Sequence, residues 1–514
     1  MYKEILFFKT GPIIAEDGYR KTYNEGNFRN YGGTLSFKHN FAKAGKELTA
    51  DANYNYRKND NLGDYFTQYY TNGAFKSMLY EQSLGGGTNN ALVVQTDYVN
   101  PISDKIKIEM GARGAFSSFV SFNNNYDKKS SSEAFKLLPG FSNNYKFTDQ
   151  VLAAYTTFSQ QIKKFTYQLG LRLESSKYNG DLVSQAKQFS NKYPFSLFPS
   201  AFFTYKLTDK QDMQLNYSRK INRPNFFQLI PFFDYSDPLN LSIGNPNLVP
   251  EFTNLVEVGY QNQLNKNHSI LATLYFRNTT DLITRYQYKD KNPDTSSKPK
   301  PDSVLISSYI NANTATTVGL ELTSKDKITK WWDLTANLNL FNSTLKAGSV
   351  VGGGSNSQFS WFGKLNNNFK LPKNYSIQLS GDYQAKTILP PSSSGGGSRG
   401  GGMMMGGGFG QTQTGAQGYI KPNYGVDIAI KKEFLKNNTA SLTLQVNDIF
   451  RTKVYATHSQ DVYFIQDNQR RRDPQVVRLN FNWRFGKFDI ALFKRKNMKG
   501  EMEGMQGAQQ GMGQ

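Results

Sequence analysis

Residues 332–340 read WDLTANLNL, and every second side chain is apolar. Trp332, Leu334, Ala336, Leu338 and Leu340 fall on one face; Asp333, Thr335, Asn337 and Asn339 fall on the other. Period two is the geometry of a β-strand, because successive side chains leave a pleated backbone on opposite sides. The pattern recurs along the chain. Phe165, Tyr167, Leu169, Leu171 and Leu173 alternate with Thr166, Gln168, Gly170, Arg172 and Glu174; Leu48, Ala50, Ala52, Tyr54 and Tyr56 alternate with Thr49, Asp51, Asn53 and Asn55. Near the end Val477, Leu479, Phe481, Trp483 and Phe485 alternate with Arg478, Asn480, Asn482 and Arg484. The expected fold is all-β, in segments of about ten residues, the length that crosses a bilayer when tilted. No run approaches the roughly 18 consecutive apolar residues of a membrane helix.

The connections supply a topology. Short polar turns near residues 161, 207, 265, 326, 371 and 435 alternate with long connections near 179–194, 220–252, 289–302, 342–357, 386–420 and 452–474. Alternation of short and long connections is expected of an antiparallel up-and-down transmembrane β-barrel, whose short turns are periplasmic and whose long loops face outward. The last strand, 475–485, then runs toward the periplasm. The count comes to about 17 or 18 strands, with an uncertain segment at residues 4–14, and bacterial barrels close with an even number.

A soluble β-sandwich or propeller also alternates, but it exposes a face rich in Lys and Glu and packs the other as a core. Here the polar face is mainly Asn, Thr, Gln, Ser and Asp. The apolar face carries large aromatics near strand ends: Tyr260, Phe276, Trp331, Trp332, Phe434, Phe450, Trp483 and Phe485. A wet lumen and interfacial aromatic girdles account for both. The formal charge of +21 is spread through turns and loops and not gathered into a stripe, so no nucleic-acid partner is expected. The chain has no cysteine, hence no disulfide, thiolate site or thiol nucleophile.

One connection stands apart. Residues 222–251 contain Pro224, Pro231, Pro238, Pro246 and Pro250 together with Phe226, Phe227, Phe232, Phe233 and Tyr235. Proline removes donors and fixes φ, so the segment cannot continue a sheet; Gly244 and Asn245 favour turns. It is either a preformed contact surface for a ligand or a loop packed on itself.

The surrounding stretch, YSRKINRPNFFQLIPFFDYSDPLNLSIGNPNLVPEFTNLVEVGY, closely resembles the signature of TonB-dependent receptor-like outer-membrane barrels of the kind common in Bacteroidetes. NLFNSTL, QVNDIF and NWRFGKF resemble later elements of the same family, and the likeness covers roughly residues 30–490. The resemblance implies a 22-stranded barrel filled by an N-terminal plug, importing a scarce nutrient such as a metal chelate, glycan or peptide with energy from a TonB-type coupling protein. It further implies outer-membrane lipid, lipopolysaccharide and the barrel assembly machinery as partners, and the outer membrane of a Gram-negative bacterium as the location. The chain departs from that pattern in lacking a signal peptide, plug or coupling motif and several strands. The expectation is therefore an internal Met1, an incomplete strand and loop at 1–30, a barrel at 31–487 and a disordered periplasmic basic and Gly/Gln/Met-rich tail at 488–514. The alternatives are a plugless passive pore or surface-binding barrel, and a soluble secreted all-β binding protein.

No catalytic, cofactor or metal residues are expected, and ligand contacts are unknown. His39, His268 and His458 are scattered, with His268 in a periplasmic turn and His458 in an outward loop, so they form no single site. Met403, Met404 and Met405, in the glycine-rich segment 395–415, offer soft thioethers without the His or Cys that usually accompany them. Arg470, Arg471 and Arg472 lie in the last outward loop; they are either a solvated charge run or a lipopolysaccharide phosphate contact.

Overall fold

The computed structural model describes every residue except 1, 11–12, 129, 140–141, 184–185, 232, 235–239, 294–302, 348–353, 390–417, 461–464, 472–474 and 486–514. Among the described residues twenty-one strands belong to one sheet. Three of these are only two to four residues long: β6 (Lys136–Leu137), β11 (Phe233–Asp234) and β12 (Asn240–Ile243). The other eighteen form the wall, in agreement with the count from connections. They begin with β1 (Tyr2–Thr10), β2 (Ile13–Asn40), β3 (Glu47–Thr71), β4 (Ala74–Ser103) and β5 (Ile106–Lys128). Next come β7 (Asn143–Ile162), β8 (Phe165–Leu182), β9 (Lys187–Thr208), β10 (Gln211–Asn222), β13 (Glu251–Asn262) and β14 (His268–Lys291). The rest are β15 (Ser303–Lys327), β16 (Trp332–Ala347), β17 (Gly354–Leu371), β18 (Tyr375–Gln384), β21 (Asn423–Phe434), β22 (Ala440–Val446) and β25 (Val477–Trp483).

Each wall strand pairs antiparallel with the next in the chain. Among the described residues β1 pairs only with β2, and β25 only with β22. Four further strands, β19 (Thr387–Leu389), β20 (Gly418–Ile420), β23 (Tyr455–Gln460) and β24 (Ile465–Arg470), form a separate small sheet from the last two long connections.

Many wall strands are longer than the expected ten residues: β3 has 25 and β4 has 30. At about 3.3 Å per residue, 25 residues reach roughly 80 Å, far beyond the ~30 Å of a hydrocarbon core. The ladders therefore continue past the bilayer as ribbons, and several stretches expected to be loops, 179–182 and 342–347 among them, are strand. The β3–β4 ribbon closes in two residues at the rim of long connections, where Asn72 (φ 52°) and Gly73 (φ 78°) both take the left-handed conformation that a type I′ hairpin turn needs.

Exposure separates the two faces. On β8 the apolar side chains Leu169, Leu171 and Leu173 are 45%, 47% and 38% exposed, while Glu174 between β7 and β9 is buried. Met110 and Phe116 on β5, Leu152 on β7, Leu215 on β10, Leu274 and Phe276 on β14 and Leu365 on β17 are likewise exposed. A soluble monomer rarely exposes more than a few hundred Å² of contiguous apolar surface, whereas a lipid-facing band requires it. At the short-turn rim, Trp331, Trp332 and Phe369 cluster with ring centroids 5.9–6.3 Å apart, and Trp331 is half exposed. That is the expected aromatic girdle.

Candidate functional site

The connection between β10 and β13 folds inward at the mouth, the rim of long connections. Its first turn is the four-residue helix α1 (Phe226–Leu229), started by a capping box: the Asn225 side chain accepts from the Gln228 N–H at 3.0 Å, and the Gln228 side chain accepts from the Asn225 N–H at 2.9 Å. The Gly244 and Asn245 N–H groups then donate to the Ile230 and Gln228 carbonyls, both at 2.7 Å. A side chain at Gly244 would place its Cβ 2.5 Å from the Ile230 oxygen and 2.6 Å from the Ile230 nitrogen, so only glycine allows the two halves to meet. Glu251 ties the base: it accepts from Asn222 Nδ2 and from the Ile283 N–H, each at 2.8 Å. The described parts of the proline-rich signature, 223–231, 233–234 and 240–250, thus form a fastened strap.

The strap lies against the inner face of the wall. Phe226 packs on Phe119 of β5, Phe147 of β7 and Tyr145, with centroids 4.7, 4.9 and 5.4 Å away. Phe119, Phe147, Tyr178 and Leu182 alternate with the outward side chains Val120, Leu152 and Leu173, which puts them inside. On the other flank Leu229 and Leu248, 0% and 1% exposed, pack with Ile283 of β14 and Tyr309 of β15. Burying two leucines contributes about 3–6 kcal/mol. β12 adds to β15 as a short parallel pair, and Leu241 is buried with Val304 and Ile306. β9 contributes polar ties: Tyr193 donates to the Leu248 carbonyl at 2.6 Å, and Asn191 to that of Pro246. Of the two readings of this segment, the loop packed on protein is the one seen, and its packing surface is the barrel wall as well as itself.

Charge is concentrated where the strap starts. Arg223 donates to one Glu174 oxygen and, at 3.3 Å, to Ser176 Oγ; Arg172 donates to the other Glu174 oxygen. Asp149 lies three residues beyond Leu152 toward the mouth, where the outward neighbour is the exposed Gln150. Burial pushes its carboxyl up to about 6, against the pull of the Arg223 guanidinium, and one of its oxygens has no hydrogen-bond partner. The Tyr178 hydroxyl, paired across from it, is pushed upward by burial and then by the Asp149 charge.

Directly below is a recess of about 250 Å³ lined by Gln95, Arg113, Tyr155, Arg172, Phe198 and Ser200. Tyr155 donates to Asp97, Gln95 donates to the other Asp97 oxygen at 2.9 Å, and the Arg172 guanidinium sits 5.4 Å from the Tyr155 ring centroid. A polar wall with two guanidiniums and two rings can hold a polar ligand by hydrogen bonds and stacking. Arg172 belongs to the recess and to the Glu174 cluster alike.

The histidines stay apart. His268 meets Asp326 at 2.9 Å on the short-turn rim, His458 meets Asp467 at 3.2 Å in the small sheet, and His39 lies beside Phe41 near the turn after β2. Among the described residues no group of three or more His, Cys, Asp or Glu could hold a metal. Met403, Met404 and Met405 lie outside the described residues; Arg470 ends β24, Arg471 follows it exposed, and Arg472 lies outside. QVNDIF is a rim fastening. Asp448, at φ 47°, accepts from the Thr452 and Lys453 N–H groups at 2.9 Å, and Lys453 Nζ reaches Asp382 at 2.7 Å. The recess escaped the sequence reading because its residues come from five strands, each as an ordinary polar or aromatic alternate.

A family model, described as outer membrane protein beta-barrel family, matches residues 39–483. No curated protein matches the sequence. The ferric yersiniabactin uptake receptor of Yersinia pestis has a TM-score of 0.54 at 11% identity, over 94% of this chain and 77% of that one. The siderophore receptor of Acinetobacter baumannii has a TM-score of 0.53 at 10% identity, over 91% and 77%. At such identities the likeness is one of fold, and with the family model it bears out the outer-membrane barrel read from the signature at residues 217–260.

Proposed function

Because this chain belongs to the outer membrane protein beta-barrel family and resides in the outer membrane of a Gram-negative bacterium, we propose that it is the barrel of an importer for a scarce polar nutrient such as a metal chelate, glycan or peptide. The observation that carries the reading is the mouth: a strap packed on the inner face of the wall above a polar recess. A structural barrel needs neither feature. Of the two receptors of like fold, one is a ferric yersiniabactin uptake receptor and the other a siderophore receptor, which favours a chelate within that class. A TonB-type coupling protein in the periplasm is the partner that would make uptake active.

Uptake of radiolabelled ferric chelates, oligosaccharides and dipeptides, compared between cells with and without the chain, tests this. Chain-dependent accumulation abolished by a protonophore supports the importer. Chain-dependent equilibration indifferent to the protonophore identifies a passive pore, and no chain-dependent uptake of any probe leaves a surface-binding barrel.

A further inference from the structure

The outward face of β7, β8 and β9 changes character where it leaves the lipid band. Above Leu173 and Leu197, which are 38% and 52% exposed, the next outward side chains of β8 are Ser175, Lys177, Asn179 and Asp181. Register fixes what faces them: Lys177 stands directly opposite Lys192 of β9, and Asn179 opposite Ser190. Lys192 points outward because Asn191 and Tyr193, on either side of it, reach inward to the strap. Like charges directly opposite each other destabilise a pair of strands, and an anion between them removes that cost. A third outward lysine, Lys146 of β7, stands opposite Asp181, so this part of the face holds three ammoniums and one carboxylate. Among the described residues none of the three lysines forms a salt bridge. Beside them is a second recess, of about 500 Å³, lined by Lys146, Thr148, Asn179, Asp181, Gln188 and Ser190 among others. Asn179 donates to Thr148 Oγ1 at 3.2 Å, and Ser190 donates to Asn179 Oδ1 at 2.9 Å, so its floor is a ladder of amide and hydroxyl groups of the kind that bonds sugar hydroxyls. Phe195, 77% exposed, stands just below, where the β8–β9 register breaks at Ser175.

Height decides what such a face meets. Four intervals of about 3.3 Å separate Leu173 from Lys177, roughly 10 Å along the membrane normal at a tilt of ~40°. The headgroup layer is roughly 5–8 Å deep, and a lysine side chain rooted just beyond it bends back into it. We propose that this face is a docking site for the phosphorylated glycolipid of the outer leaflet, lipopolysaccharide. Lys177 and Lys192 bind a phosphate on its lipid-linked sugars, Lys146 and the amide–hydroxyl recess take the sugars beyond, and Phe195 and Leu197 lie along its acyl chains. A ligand that is apolar below, anionic at the boundary and rich in hydroxyls above matches the order of these side chains; free phosphate or a soluble glycan matches one layer only. The site is on the opposite side of the wall from the strap, and it is independent of what is transported.

The test is binding of deep-rough lipopolysaccharide, which carries lipid A and inner-core sugars alone, to the delipidated protein in detergent micelles, each variant first shown to be folded by its heat-dependent gel shift. K146Q/K177Q/K192Q should bind on the order of 100-fold more weakly, since each lysine beside an anionic surface contributes a factor of about five. K146R/K177R/K192R keeps the charge and should keep the affinity. The same loss of charge at exposed lysines of the short-turn rim, K163Q/K210Q/K266Q, should leave binding unchanged. The lipid stripped of its phosphates should bind the parent as weakly as the intact lipid binds the glutamine variant. Should the triple glutamine variant fail to fold, K177Q alone should weaken binding about five-fold. Binding by the glutamine variants equal to the parent's overturns the site. So does an equal loss in the rim variant, which would report net charge, and so does full affinity for the dephosphorylated lipid.

Discussion

Leu169→Arg separates a lipid-facing band from an ordinary exposed surface. Leu169 is the middle of five outward side chains, Phe165, Tyr167, Leu169, Leu171 and Leu173, at the short-turn end of β8. Eight intervals of about 3.3 Å give roughly 26 Å along the strand, or about 20 Å along the membrane normal at a tilt of ~40°, which fits within the ~25 Å apolar band of outer-membrane barrels. Leu169 thus lies near the midplane, where an arginine costs about 2–4 kcal/mol. At roughly 1.4 kcal/mol per decade this lowers the folding equilibrium constant about 30- to 700-fold. The assay is guanidinium unfolding of the protein in phospholipid vesicles, followed by tryptophan fluorescence. If Leu169→Arg falls within about 0.5 kcal/mol of the parent, as a change on a water-exposed surface does, the assignment of that face to lipid is wrong.

Three further outcomes follow from the mouth and its rim. Gly244→Ala forces its Cβ against the Ile230 main chain and should break the two 2.7 Å strap bonds, loosening the strap by about 1–3 kcal/mol; guanidinium unfolding reads this as a loss of stability, and no loss would contradict the close approach. The Asp149 carboxyl is raised from 3.8 to about 6, so its contribution to folding is fullest below the lower value and is lost, by about 3 kcal/mol, as pH rises through the upper one. Stability toward guanidinium should therefore fall from pH 5 to pH 7.5, and Asp149→Asn should remove most of that fall; an undiminished fall points to another group. Asp448→Ala withdraws the acceptor of the Thr452 and Lys453 N–H groups and should expose residues 447–454 to protease; cleavage no faster than in the parent would contradict the fastening.

The wall was legible in the sequence where its two faces meet different media. Trp332–Leu340 and Phe165–Leu173 alternate because one side is lipid and the other a wet lumen, and that contrast gave strand identity and number. Where β3 and β4 rise beyond the bilayer, through RKNDNLGDYFTQYY and its partner, water bathes both faces and the alternation fades. Strand ends were lost there for that reason. The strap was legible as a segment, through its prolines and aromatics, but its direction was not: Phe226 could bury itself on the loop or on the wall with equal local chemistry. Tertiary contact with Phe119 and Phe147, about 80 to 107 residues earlier, decides it. The Glu174 cluster and the recess were invisible because Gln95, Arg113, Tyr155 and Arg172 come together only through the register of four strands.

The decisive measurement is made on native outer membranes, run heated and unheated on a denaturing gel with an antibody to the 222–251 segment. A species released only by detergent, whose mobility shifts on heating, is the expected result for a transmembrane barrel. Extraction by buffer alone, with no heat-dependent shift, would contradict it.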